Sequence, residues 1–176
     1  MSAPTAHSVK QRTAKHERWI VKLWIDTDLG TDVDDALALA YALRHPEIEL
    51  VGVSTVFGDV DLRTSMVDEL LRIAGRMDVP VVTGLGKPIT ARRKGMMFGH
   101  EGIGLLTDPS PRIETESDEN PEARVAAIAE ALAVSGADAI VSIGPMTNLG
   151  SLATAGVALP PVTIMGGKIA DVEILT

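Results

Sequence analysis

The sequence predicts an α/β fold: an open, mostly parallel, Rossmann-like sheet with flanking helices. Three observations predict it. Residues 20–26 and 49–56 are apolar, β-prone runs that bracket a helical pattern at Ala36, Leu39, Ala40 and Leu43, so strand, helix and strand fit within about 35 residues as a βαβ unit. The second run is nearly continuous in Leu50, Val51, Val53 and Val56, which suits a strand buried on both faces of a parallel sheet. Between the first strand and the first helix lie Asp26, Asp28, Asp32, Asp34 and Asp35, five carboxylates within ten residues. That is the carboxyl end of a strand, where open α/β sheets bind ligands.

The chain has 176 residues, 45% of them apolar, which is enough for one domain with a core. A net charge of −8 argues against nucleic acid as a partner. No cysteine is present, so disulfides and thiolate metal sites are excluded, and a reducing, cytoplasmic setting fits. No apolar run approaches the roughly 18 residues that suggest a membrane span. Residues 1–18 carry Lys10, Arg12, Lys15 and Arg18 against Glu17, without apolar periodicity or a signal-peptide core. They read as a disordered leader, and residues 19–176 as one α/β domain.

The first helix spans 34–44 and stops at His45-Pro46, since the residue before proline is pushed out of helical geometry. The second spans 62–75. Leu62, Met66, Leu70, Ile73 and Ala74 predict its buried face, flanked by Val67 and Leu71, and Gly75 its C-cap. Residues 79–83 form a short third strand, closed by Gly84-Leu85-Gly86-Lys87-Pro88. Those glycines lack the Lys-Ser/Thr of a phosphate loop. Residues 89–119 have little predicted secondary structure. They hold the run Arg92-Arg93-Lys94, read as solvated, and Gly99-His100-Glu101-Gly102-Ile103-Gly104. A loop of that length is functional or disordered. Asn120-Pro121 starts a third helix, which Gly136 closes. Residues 137–143 and 162–165 complete the strands.

The acidic turn needs counter-charge. No Lys or Arg lies between Lys22 and Arg44, and five neighbouring carboxylates repel one another. Oxygen-only ligands point to a hard divalent cation, Ca²⁺ or Mg²⁺. The bland alternative is helix capping, which needs one Asp rather than five.

Asp26-Thr27-Asp28-Leu29-Gly30 followed by Asp34-Asp35-Ala36 resembles the signature of the nucleoside hydrolases, calcium-dependent enzymes that cleave the N-glycosidic bond of ribonucleosides. Gly144-Pro145-Met146-Thr147-Asn148-Leu149 and Met165-Gly166-Gly167 are similar to two further strand ends of that family. A haloacid-dehalogenase-type phosphatase also opens with Asp-x-Asp, but it lacks the later Asp-Asp-Ala. The resemblance implies a Ca²⁺ cofactor held by Asp28, Asp35 and the backbone carbonyl of Ile143. Asp28 doubles as the base, and Asp34 binds ribose. Asp59 stands where the family has an Asn that contacts substrate, and His100 matches a loop His that contacts base or sugar. Thr147 and Asn148 are expected to cap the next helix, and Asp26 to bond the turn's backbone.

The resemblance covers residues 20–167 and implies the N-terminal half of such an enzyme, whether natural truncation, frameshifted product or fragment. In the family a Glu-x-Asn segment, a distal calcium-binding Asp and a His acting at the leaving base follow, and Asp171 and Glu173 do not match that segment. A non-catalytic half-domain is therefore the second expectation. An uncovered fifth strand predicts a homo-oligomer.

Overall fold

The computed structural model describes residues 19–90, 97–109 and 120–166. The expected leader, the Arg92-Arg93-Lys94 run, Gly167, Asp171 and Glu173 lie outside these residues. Five strands are present: β1 (Val21–Thr27), β2 (Ile48–Thr55), β3 (Val81–Thr83), β4 (Ala139–Ser142) and β5 (Val162–Ile164). Four helices alternate with them: α1 (Asp34–Arg44), α2 (Val60–Ala74), α3 (Pro121–Ser135) and α4 (Thr147–Thr154). The strands form one parallel sheet in the order β3-β2-β1-β4-β5. Chain order reverses at β1/β4, where a ligand crevice is expected beyond the carboxyl ends of the strands.

Alternation along β1 separates two cores. Ile25 packs with Leu39, Val53, Met66, Val67 and Leu71 under α1 and α2. Trp24 packs on the opposite face with Ile128, Leu132, Ile140, Leu149 and Leu152 under α3 and α4. The Trp24 ring lies over Gly52, where a Cβ would sit 2.2 Å from it, so that position of β2 has no room for a side chain. The β1–β2 register shifts between Leu23 and Trp24 at this place.

The helix ends follow the sequence closely. Asn120 Oδ1 accepts from the Ala123 N–H at 2.9 Å, a cap contributing about 1 kcal/mol. Gly75 (φ 70°) and Gly136 (φ 62°) close α2 and α3 in the left-handed conformation.

Two expectations need correction. The buried face of α2 is Val60, Arg63, Met66, Val67 and Leu71, whereas Ile73 is 63% exposed. A charged residue, Arg63, occupies the buried face, so the apolar residues alone point to the wrong phase. Thr147 and Asn148 do not cap α4: its N-cap position is Met146, with no side-chain cap bond, and Asn148 points into the sheet instead. Among the described residues no helix is long and apolar enough to cross a membrane.

Candidate active site

The chain leaves β1 at Thr27 and re-enters helix at Asp34, and the intervening turn is held from three sides. The Thr27 hydroxyl donates to Asp35 and accepts from the Leu29 N–H at 3.1 Å. Gly30 adopts φ 119°, and a Cβ there would come within 2.6 Å of Met66 on α2. The N-cap position of α1 is Val33, with no side-chain cap bond, so capping does not account for the carboxylates.

A cleft of about 340 Å³ opens over this turn. Its lining includes Asp28, Asp32, Asp34 and Asp35 after β1, Ile143 and Gly144 after β4, and Ile164 to Gly166 from β5 onward. This is the β1/β4 switch point. Asp28, Asp34, Asp35 and Ile143 thus line one cleft. Carboxylate oxygens of Asp32, Asp34 and Asp35 lie within 4.8 Å of one another, which adds Asp32 to the cluster. Gly144 packs against Asp28: a Cβ there would meet the Asp28 amide at 2.9 Å and Oδ1 at 3.0 Å.

The charges are unevenly disposed. Burial raises Asp35 to about 6, opposed by the Thr27 hydroxyl and reinforced by the nearby Asp28 charge. Burial also raises Asp28, with the Arg63 guanidinium opposing. Asp32 and Asp34 share a hydrogen bond that raises Asp32 and lowers Asp34. The carboxylates of Asp28, Asp32, Asp34 and Asp35 and the backbone carbonyl of Ile143 are a set of oxygen donors. It fits a hard divalent cation whose ligands bind at about 2.3–2.6 Å.

Asp26 stands behind the cleft, completely buried, and burial raises it to about 6. Its partners are side chains rather than the turn's backbone: Ser54 Oγ at 2.6 Å, Asn148 Nδ2 at 2.7 Å and Ser142 Oγ at 3.4 Å. Asn148 also donates to Thr55 O at 3.0 Å and accepts from the Leu85 N–H at 2.9 Å. Gly84 makes room for this amide, since a Cβ there would lie 2.4 Å from its nitrogen.

The other expected site residues are not in the cleft lining. His100 Nε2 is 2.8 Å from the Thr31 carbonyl, which seats the 97–109 loop against the acidic turn. Asp59 is buried and caps α2, accepting from the Leu62 N–H at 3.2 Å. It is not among the residues lining the cleft.

The sequence assigns no role to Arg63 and only a capping role to Asn148. Arg63 is fully buried and donates to four oxygens: Phe57 O (2.6 Å), Leu29 O (2.7 Å), Thr31 Oγ1 (3.1 Å) and Asp28 O. It supplies the counter-charge that the stretch from Lys22 to Arg44 lacks. The available signal was an arginine at the centre of an otherwise apolar helix face.

The sequence model of the inosine-uridine preferring nucleoside hydrolase family matches residues 23–173. The chain belongs to this family. It is 36% identical over 134 residues to an Arabidopsis thaliana protein named probable uridine nucleosidase 2, covering 73% of this chain and 40% of that one. Uridine nucleosidase 1 of the same plant is 35% identical over 140 residues, covering 77% and 39%. The structure of a purine-preferring ribonucleoside hydrolase from Gardnerella vaginalis superposes with a TM-score of 0.59 at 29% identity, covering 84% of this chain and 49% of that one. The chain thus spans less than half the length of these relatives. Family membership displaces the phosphatase alternative, and the α/β fold agrees with the sheet described above.

Proposed function

We propose that this site hydrolyses the N-glycosidic bond of a ribonucleoside to ribose and free base, with Ca²⁺ as cofactor. The observation that carries the reading is the convergence of Asp28, Asp34, Asp35 and Ile143, from the ends of two adjacent strands, on one cleft at the switch point. Asp28, Asp35 and the Ile143 carbonyl would hold the cation. When bound, the cation lowers the pKa of a coordinated water.

The chain's own residues do the rest. Asp28 takes the proton of the attacking water at its carboxylate. Asp34 stays ionised and accepts hydrogen bonds from ribose hydroxyls, which holds the sugar as it becomes oxocarbenium-like. His100, whose Nε2 meets the Thr31 carbonyl beside the acidic turn, contacts the nucleoside in the same reading. The exposed edge strand β5 pairs with a second copy, giving a cytoplasmic homo-oligomer.

The test is ribose release from uridine and inosine by the 176-residue chain, with calcium and with a chelator. Calcium-dependent release that is lost in Asp28→Ala supports the reading. Folded protein that releases no ribose contradicts it.

One observation favours a second reading. Among the described residues lining the cleft there is no His, Tyr or Lys to protonate a leaving base. On that reading the chain binds Ca²⁺ and nucleoside without turnover. It predicts calcium-dependent retention of uridine in equilibrium dialysis with no ribose released.

A further inference from the structure

The acidic cleft is braced from behind by one side chain. Arg63 projects from the second turn of α2 and lies outside the cleft lining. Its Nη1 donates to the carbonyls of Asp28 and Leu29, its Nη2 to Thr31 Oγ1, and its Nε to the Phe57 carbonyl. Met97 Sδ is 3.5 Å from Nη2, and the ring of Phe57 lies 5.9 Å from the guanidinium carbon. One planar group therefore joins the loop after β1, the loop after β2 and the start of the 97–109 segment. Phe57 has φ 69°, a left-handed conformation that is unusual for a bulky residue, and its carbonyl takes the 2.6 Å bond from Nε. A lysine carries the charge but not the fork, so it cannot span these carbonyls.

We propose that Arg63 is a positioning residue for the cation site: it fixes the 28–31 backbone so that the Asp28 carboxylate and its neighbours face the cleft. This rests on the reading of that cleft as a Ca²⁺ site. Charge and geometry make opposite demands here. A buried cation beside the site repels Ca²⁺, so on charge alone its removal tightens binding. As a brace, its removal loosens the turn and weakens binding.

The experiment is calorimetric titration of Ca²⁺ into the 176-residue chain, its Arg63→Lys and Arg63→Met variants and Thr31→Val. Each is titrated at a temperature where circular dichroism shows it folded. Both Arg63 variants are expected to bind Ca²⁺ about tenfold or more weakly, the scale of losing hydrogen bonds from a charged donor. Thr31→Val removes one arm with little change in volume and is expected to weaken binding severalfold, which keeps the test open if the Arg63 variants do not fold. Arg63→Met binding as tightly as the parent or tighter, or Arg63→Lys or Thr31→Val binding like the parent, overturns the positioning role. A parent chain that does not bind Ca²⁺ overturns the reading of the cleft and this inference with it, so the two failures are distinct.

Discussion

Replacing Asn148 by Ala removes three hydrogen bonds from the middle of the sheet. The side chain is completely buried and links Asp26 Oδ1, Thr55 O and the Leu85 N–H, at 2.7, 3.0 and 2.9 Å. After truncation the Leu85 N–H and the Thr55 carbonyl keep their burial and lose this partner. Asp26 retains Ser54 and Ser142 but loses a short charge-assisted bond. At about 1–3 kcal/mol for each buried group left unsatisfied, the loss comes to roughly 3–5 kcal/mol. That is a large share of the roughly 5–15 kcal/mol stability of a domain. Urea unfolding near neutral pH, followed by far-UV circular dichroism, measures it. The three contacts lie behind the cleft, so Asn148→Ala should lower the unfolding midpoint with little change in slope. A loss below about 1 kcal/mol would refute the view that this amide ties β1, β2 and the segment after β3 together.

Asp26 makes stability depend on pH. Its pKa in the folded chain, about 6, exceeds the ordinary 3.8, so its contribution is fully present below the lower value and is lost as pH rises through the upper one. At about 1.4 kcal/mol per unit, the cation-free chain should lose roughly 3 kcal/mol between acid and neutral pH from this group, and Asp26→Asn should flatten that slope in denaturation curves with chelator present. Calcium affinity should run the other way. Asp35 titrates near 6 in the cation-free chain, so binding should weaken as pH falls below that value, and titrations at several pH values should show proton release on binding. Gly144→Ala sets a Cβ 2.6 Å from Val56 and 2.9 Å from the Asp28 amide. It should cost about 1–3 kcal/mol of stability by overpacking and weaken Ca²⁺ binding, both read by calcium-dependent thermal shift. If β5, the sheet edge among the described residues, pairs with a second copy as proposed, light scattering should show an oligomer, and a monodisperse monomer would count against that part of the account.

The parts of the site that depend on neighbours in sequence were legible before the structure. The acidic turn, the glycine and asparagine helix ends and the βαβ pattern are local, and each has a local cause. The contacts that hold the turn in place are not local. Arg63 and the Asp28 carbonyl are 35 residues apart, and Asn148 and Asp26 are 122 apart. Asn148 sits at the start of α4, where an amide ordinarily caps, and only the pairing of β1 with β4 shows that it points into the sheet. Arg63 disguised the phase of α2, because a buried charge breaks the rule that polar positions mark the solvent side. The same rule hid its role as counter-charge, which the sequence alone assigned wholly to a bound cation. Asp59 illustrates the converse. Its position after β2 fits substrate contact and helix capping equally, and only its geometry gives it the N-cap of the helix that carries Arg63.

The central claim is that the cleft between the ends of β1 and β4 holds a calcium ion. Crystals of the 176-residue chain grown or soaked with CaCl₂, with anomalous differences collected at long wavelength, test it most directly. The account predicts a peak in contact with the Asp28 and Asp35 carboxylates and the Ile143 carbonyl, absent from Asp28→Ala crystals. Calcium found only on exposed carboxylates elsewhere, such as Asp68 or Asp78, with none in the cleft, would contradict it.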